Sequence, residues 1–382
     1  MTTYVKGVSA AECWTCRHFY KSLLPDGAVD LDTGAPSPRR SVPLGNPELE
    51  ERARELAFER LFVIYDEAVD YEVAVGDGAA KKPSRGAIRA LADRGCGMVS
   101  MPVSVMVPNK TSRLNSPLVA CSVIASAPGA GAFVRSAECG LLIASPEWCV
   151  LQLALDLPMP QLAELISELC STYYYELTER AELVRGEDGT ARAEVRVQEA
   201  ALSHRPVPVS CLAAMEEVAH SHGSSQAGRQ MARAVRYAVE GAASPMETAL
   251  ALMLSLPRNV GGYGLPKPRM NWVIDVEGGR FRVVDAYWPD AGVGLEYDSD
   301  AHHAEKDKIR ADSLRRNEVQ AGDVRLFTAT ALHLSSIEAL DDLAAQLSRA
   351  LGRPWRTAGL KPSAQRKALL RTLKRRSIEG LV

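Results

Sequence analysis

Residues Phe281–Thr330 read FRVVDAYWPDAGVGLEYDSDAHHAEKDKIRADSLRRNEVQAGDVRLFTAT. Three apolar stretches in this segment, FRVVDAYW, VGLEYD and VRLFTAT, have the length and alternation of strands. A charged stretch from about 303 to 320 reads as a helix between the second and the third. Acidic residues sit where a strand tolerates them least: Asp285 near the end of one apolar run, and Glu296 and Asp298 inside the next. Carboxylates on neighbouring buried strands are costly unless a cation or a hydrogen-bonding partner offsets them.

Upstream, NWVIDV reads as one more strand, joined to FRVVDAYW by a turn at Gly278-Gly279. Before it, SPMETALALMLSL carries a complete helix-start signal, with Ser244 at N-cap, Pro245 at N1 and Glu247 at N3. Downstream, SIEALDDLAAQLSRAL has the apolar stripe of an amphipathic helix. Helix, three strands, helix, strand, helix is a compact α/β unit. Its first three strands form a meander, and the fourth arrives through a helical crossover and therefore runs parallel to a neighbour. A mixed sheet of at least four strands is expected from about 271 to 330, with helices near 245, 303 and 337 against it.

A chain of 382 residues suits two or three domains. The polar stretch AHSHGSSQAGRQ, 219–230, is the best candidate boundary. The expected division is a mixed α+β N-terminal region over 1–225, the α/β unit over 240–352 and a basic tail over 353–382. In the N-terminal region Glu48–Ile64 looks helical, and short apolar pieces between about 70 and 140 read as strands broken by Gly and Pro. Ser145-Pro-Glu then opens a helix, EWCVLQLALDL, followed by a second, PQLAELISELC.

With 46% hydrophobic residues, 24% charged residues and a formal net charge of −2, the composition is that of a soluble globular protein. No run approaches the roughly 18 apolar residues of a membrane span, and the N-terminus lacks the apolar core of a signal peptide. The eight cysteines follow no disulfide-framework spacing, which favours a reducing cytoplasm. Cys13-Trp-Thr-Cys16 lacks the second pair that zinc binding needs and the preceding strand that a redox motif needs, so it reads as structural.

Side chains alternate across a strand, so Glu296 and Asp298 share a face. If the two strands pair, Asp285 joins them at one edge of the sheet. Such an oxygen-rich locus suits Mg²⁺ or Mn²⁺ held by Asp285, Glu296 and Asp298, and a metal there activates water and polarises a phosphodiester. His302 or His303 is placed to move a proton near pH 7. Arg315 and Arg316 follow Asp312 on the charged helix and can hold phosphate oxygens. From Lys361 to Val382 there are seven Lys or Arg and one acid, Glu379; Lys374, Arg375 and Arg376 in this tail are candidate nucleic-acid contacts.

Taken together, these motifs resemble those of the PD-(D/E)xK nuclease superfamily, and within it the domain of unknown function related to very-short-patch-repair endonucleases. That pattern has a glutamate on an opening helix, matched by Glu247, and an aspartate ending a strand, matched by Asp285. It continues with E-x-D-G-x-x-H on the next strand, matched by Glu296-Tyr-Asp298-Ser-Asp-Ala-His302 with serine for glycine at 299. Asp312 with Arg315 or Arg316, and the last strand LFTAT, complete it. The resemblance covers about 240–352 and implies a restriction-endonuclease-like mixed sheet flanked by helices. It further implies catalytic roles for Glu247, Asp285, Glu296, Asp298 and His302, with Mg²⁺ or Mn²⁺ as cofactor and DNA as partner. The superfamily's lysine position holds Asp298. The middle segment GLLIASPEWCVLQLAL is similar to the S-x-E helix of fusions with abortive-infection-type antitoxin modules. The expected function is a metal-dependent endonuclease or DNA-processing protein. The alternative is a non-catalytic DNA-binding or antitoxin-like regulator with a toxin–antitoxin or defence partner.

Overall fold

Serine and proline start the main helices of the chain. In the computed structural model Ser145 caps α2 (Pro146–Leu153) by accepting the Trp148 N–H at 3.3 Å, with proline in the first turn. Ser244 caps α6 (Pro245–Ser255) in the same way, accepting the Glu247 N–H at 3.1 Å. Proline has no N–H to leave unsatisfied at that position, and the serine oxygen takes one of the orphan donors. The structure describes residues 4–15, 102–107, 109–114, 119–123, 131–135, 142–185, 191–204, 208–276, 280–298 and 324–374. The readings at 48–64, 70–100 and 303–320 lie outside these residues.

The fold is mixed α/β. The N-terminal sheet has the order β3-β2-β1-β5-β4, built from β1 (Tyr4–Val5), β2 (Val103–Val107), β3 (Val119–Val123), β4 (Phe133–Arg135) and β5 (Leu142–Ala144). The two-residue β1 lies at its centre, antiparallel to β2 and parallel to β5. Helix α1 (Gly7–Thr15) packs against β2, β5 and α2, and buries Cys13 and Trp14. The Trp14 indole N–H donates to the Ala144 carbonyl at 2.8 Å, and Cys13 is buried in the core beside it. A strand does precede this helix, because β1 is too short to show in the sequence; Cys16 lies outside the described residues. Helices α2 and α3 (Met159–Leu169) lead to a long antiparallel ribbon of β6 (Tyr173–Arg185) and β7 (Ala191–His204).

The polar stretch at 219–230 forms the end of α4 (Leu212–Ser221), a turn, and the start of α5 (Gln226–Val235). One apolar core runs through this region: Leu162 and Ile166 of α3, Met215 of α4, Met231 of α5, Leu252 of α6 and Leu295 of the C-terminal sheet belong to a single cluster. His222, within this polar stretch, is half-buried and meets Trp148 edge-on at 5.2 Å.

The C-terminal sheet comprises β8 (Arg269–Val276), β9 (Arg280–Trp288), β10 (Val293–Asp298) and β11 (Arg325–Thr330), in the order β11-β10-β9-β8. β8, β9 and β10 form the expected antiparallel meander, and β11 runs parallel to β10. Helix α6 packs on β9, and α7 (Ile337–Ala350) on β11. Helix α8 (Ser363–Leu373) closes over α6 and α7. It is fixed by Arg366, which pairs with Asp341 and donates to the Tyr263 hydroxyl at 3.2 Å. No described helix is long and apolar enough to cross a membrane.

Candidate functional site

The carboxylates highlighted by the sequence stand where the C-terminal sheet forks. β9 and β10 pair from Val293↔Trp288 to Leu295↔Ala286, and the ladder stops there. From Glu296 onward β10 stays paired with β11, Glu296 with Thr328 and Asp298 with Thr330, but no longer with β9. Glu296 and Asp285 occupy the next opposing positions after the last rung. The Asp285 side chain fills the gap: its Oδ2 accepts the Tyr297 backbone N–H at 2.7 Å, a bond that the ladder would otherwise supply.

The other neighbour of β9 is irregular at the same point. Asn271 stands opposite Asp285 in the β8–β9 register, and that pair is absent although Met270↔Ala286 and Trp272↔Val284 flank it. Asn271 has φ 46°, in the left-handed region, which asparagine enters more readily than other side-chain-bearing residues. The alternation of β9 breaks with it. Val284 packs with Tyr287, Ile274, Val324 and Leu326, whereas Ala286 and Trp288 face the main core. Both strands are therefore distorted around Asp285, as is common at functional sites.

Asn271 ties this distortion to the start of α6. Its Nδ2 donates to the Gly241 carbonyl at 2.8 Å and to Glu247 Oε2 at 3.1 Å. Glu247 also accepts the Ala243 N–H at 2.9 Å and the Ser244 hydroxyl at 2.8 Å. The structure thus places Glu247 in the buried capping box that its spacing announced, and it reaches the fork through Asn271. Burial pushes its carboxyl above the usual range, against the three hydrogen bonds that favour the ionised form. Glu147, at the start of α2, is half-buried, accepts the Ser210 hydroxyl, and is likewise raised by desolvation.

Of the remaining sequence candidates, Asp298 follows Glu296 on β10, half-buried beside Thr330. The Thr330 N–H donates to Nδ1 of His333 at 3.0 Å, and burial lowers the pKa of this imidazole, keeping it neutral near pH 7. His333 is a titratable group at the carboxylate edge that the sequence reading missed, because nothing in TATALHLSS signals the turn that folds it back. Lys374 ends α8 with Nζ donating to the Leu334 carbonyl at 3.1 Å, so its ammonium is engaged within the fold. His302, Arg315, Arg316, Arg375 and Arg376 lie outside the described residues.

Among the described residues no three His, Cys, Asp or Glu side chains form a group that could hold a metal ion, so Asp285, Glu296 and Asp298 do not close a cage by themselves. Their chemistry still fits Mg²⁺, which is commonly bound through one or two carboxylates, with water and substrate phosphate completing the octahedron. Asp285 accepts the Tyr297 N–H, and Glu296 opposes it across the fork; these are the two carboxylates that could enter the shell of such an ion. No family model matches the chain, nor does any curated protein or solved structure.

Proposed function

We propose that the protein is a metal-dependent nuclease or DNA-processing protein that hydrolyses phosphodiester bonds in DNA. The observation that carries this reading is the fork: Asp285 plugging the divergence of β9 and β10, across from Glu296, in a helix-led mixed sheet of order β11-β10-β9-β8. This topology and these positions accord with the restriction-endonuclease-like arrangement that the motifs resemble. Asp285 and Glu296 would hold Mg²⁺ or Mn²⁺, with Asp298 beside them. When bound, the ion would lower the pKa of a coordinated water and offset charge on the scissile phosphate. Glu247 acts through Asn271, setting the backbone that carries Asp285 rather than touching substrate. His302, Arg315 and Arg316 are proposed to serve proton transfer and phosphate binding.

One observation favours the alternative of a non-catalytic DNA-binding or antitoxin-like regulator: Asp298 stands at the superfamily's lysine position. Cleavage assays separate the two. Purified protein is incubated with single-stranded, duplex, nicked and mismatched DNA, with Mg²⁺ or Mn²⁺. Asp285→Asn keeps an acceptor for the Tyr297 N–H and so keeps the fork. It and Glu296→Gln are expected to lower cleavage by orders of magnitude at unchanged thermal stability. Wild-type protein inert on every substrate with both ions would overturn the nuclease reading in favour of the regulator.

A further inference from the structure

Between Val218 and Val239 the chain has no Asp or Glu but carries Arg229, Arg233 and Arg236, in a protein whose formal net charge is −2. The structure makes this segment the end of α4, the turn His222–Ser225, and α5. The turn is tight. A Cβ on Gly228 would stand 2.1 Å from the His222 carbonyl oxygen, so only glycine lets the first turn of α5 rest on the end of α4.

Helix α5 has two faces of opposite character. Gly228, Met231, Ala234 and Val235 are buried, and the helix packs on α2 and α3. Gln226, Arg229, Ala232, Arg233 and the capping Arg236 are exposed. Positions 226, 229, 233 and 236 recur three and four apart and form one stripe. Arg229 folds back onto the turn, donating to the Ser224 carbonyl at 2.7 Å. Among the described residues no carboxylate pairs with Arg229, Arg233 or Arg236. No acid in the first turn offsets the positive end of the helix dipole.

We propose that the exposed face of α5 is a docking surface for duplex DNA, with Arg233 and Arg236 on backbone phosphates. Two helices joined by a short glycine-containing turn, the second offering its outer face to solvent, can lay that second helix in a B-form major groove. Gln226, at the N-terminal end of α5, is the side chain placed to reach a base edge. The deep, narrow major groove of A-form RNA does not admit such a helix, and the stripe has none of the large apolar residues that anchor a helix in a membrane interface. The surface lies outside the forked sheet and needs neither metal nor cleavage.

The test is fluorescence anisotropy of a labelled duplex with the full-length protein in EDTA, between about 50 and 200 mM salt. Each phosphate contact contributes about 0.9 to the slope of log affinity against log salt. The double variant Arg233→Gln/Arg236→Gln should therefore lose about 1.8 from the slope, removing about 12-fold of the affinity change over that fourfold salt range. Arg233→Lys/Arg236→Lys should restore the slope, because phosphate contacts need charge rather than a planar fork. An unchanged slope in a folded double variant, or wild-type binding confined to single strands, RNA or anionic vesicles, overturns the proposal, as does no duplex binding at 50 mM salt. Should the double variant not fold, each single Gln variant is expected to lose about 0.9, and two unchanged slopes overturn it equally. Retained binding without any cleavage would sink the nuclease reading and leave this surface standing.

Discussion

Replacing Glu247 separates a structural role from a catalytic one. Its carboxylate takes three hydrogen bonds, from the Ala243 N–H, the Ser244 hydroxyl and the Asn271 amide. Glu247→Ala strips the acceptor from the Ala243 N–H and from one Asn271 N–H, while the Ser244 hydroxyl can turn elsewhere. A buried donor left without a partner costs about 1–3 kcal/mol, so the loss should be roughly 2–5 kcal/mol, eased by removal of a desolvated carboxylate. Glu247→Gln is different. Its amide oxygen can occupy the position of Oε2 and keep both N–H donors, and its NH₂ can donate to Ser244 Oγ, leaving a cost of about 1 kcal/mol or less. The pH dependence follows from burial. The folded-state pKa of Glu247 is raised, so the native state binds the proton more tightly than the unfolded chain. Its contribution is largest below the unfolded value of about 4.3 and declines as pH rises through the folded pKa. Thermal or urea melts of wild type and Glu247→Gln from pH 4 to 8 should show the wild type losing ground to the variant as pH increases. Cleavage by Glu247→Gln should persist, since the variant still holds Asn271 in place. A stable Glu247→Gln protein whose cleavage falls as far as that of Asp285→Asn would refute the positioning role and make Glu247 a member of the reacting site.

Two further predictions concern the frame around the site. Asp341→Ala removes the partner of Arg366, whose side chain is 8% exposed, together with the acceptor of the Tyr263 hydroxyl. With Asp341 itself 30% exposed, the expected loss is about 2–4 kcal/mol, read as a lower urea midpoint and faster proteolysis within α8; a variant as stable as wild type contradicts the network. Gly294→Ala sets a Cβ 2.9 Å from Leu326 Cδ1 and 3.0 Å from Val284 Cγ1. The overpacking should cost about 1–3 kcal/mol in a melt, and an unchanged midpoint would show that the two side chains yield freely.

Much of the C-terminal unit was legible in the chain because its signals are local. Ser244, Pro245 and Glu247 specify a helix start within four residues, and the alternation in FRVVDAYW and VGLEYD specifies strands within eight. The parallel β11 followed from a connection too long for a hairpin. Even the suspicion attached to Asp285 and Glu296 rested on the local cost of a carboxylate in an apolar strand. Where each carboxylate stands depends on pairing across the sheet. The Tyr297 N–H reaches Asp285 only because β10 leaves β9 after Leu295, and Glu247 is drawn into its network by Asn271, 24 residues away. The two-residue β1 is too short to carry any periodicity, and its place in the centre of the first sheet depends on partners about 100 and 138 residues downstream. The stretch at 219–230 reads as a polar linker because its buried positions are Ala219 and Gly228 rather than a clear apolar stripe. Only packing against α2 and α3 shows it to be a turn between two helices, with its arginines left on the outside. The sequence determined the elements and the residues that strain them; the tertiary structure decided which of those strains meet at one place, because register and burial depend on contacts between segments that carry no local record of each other.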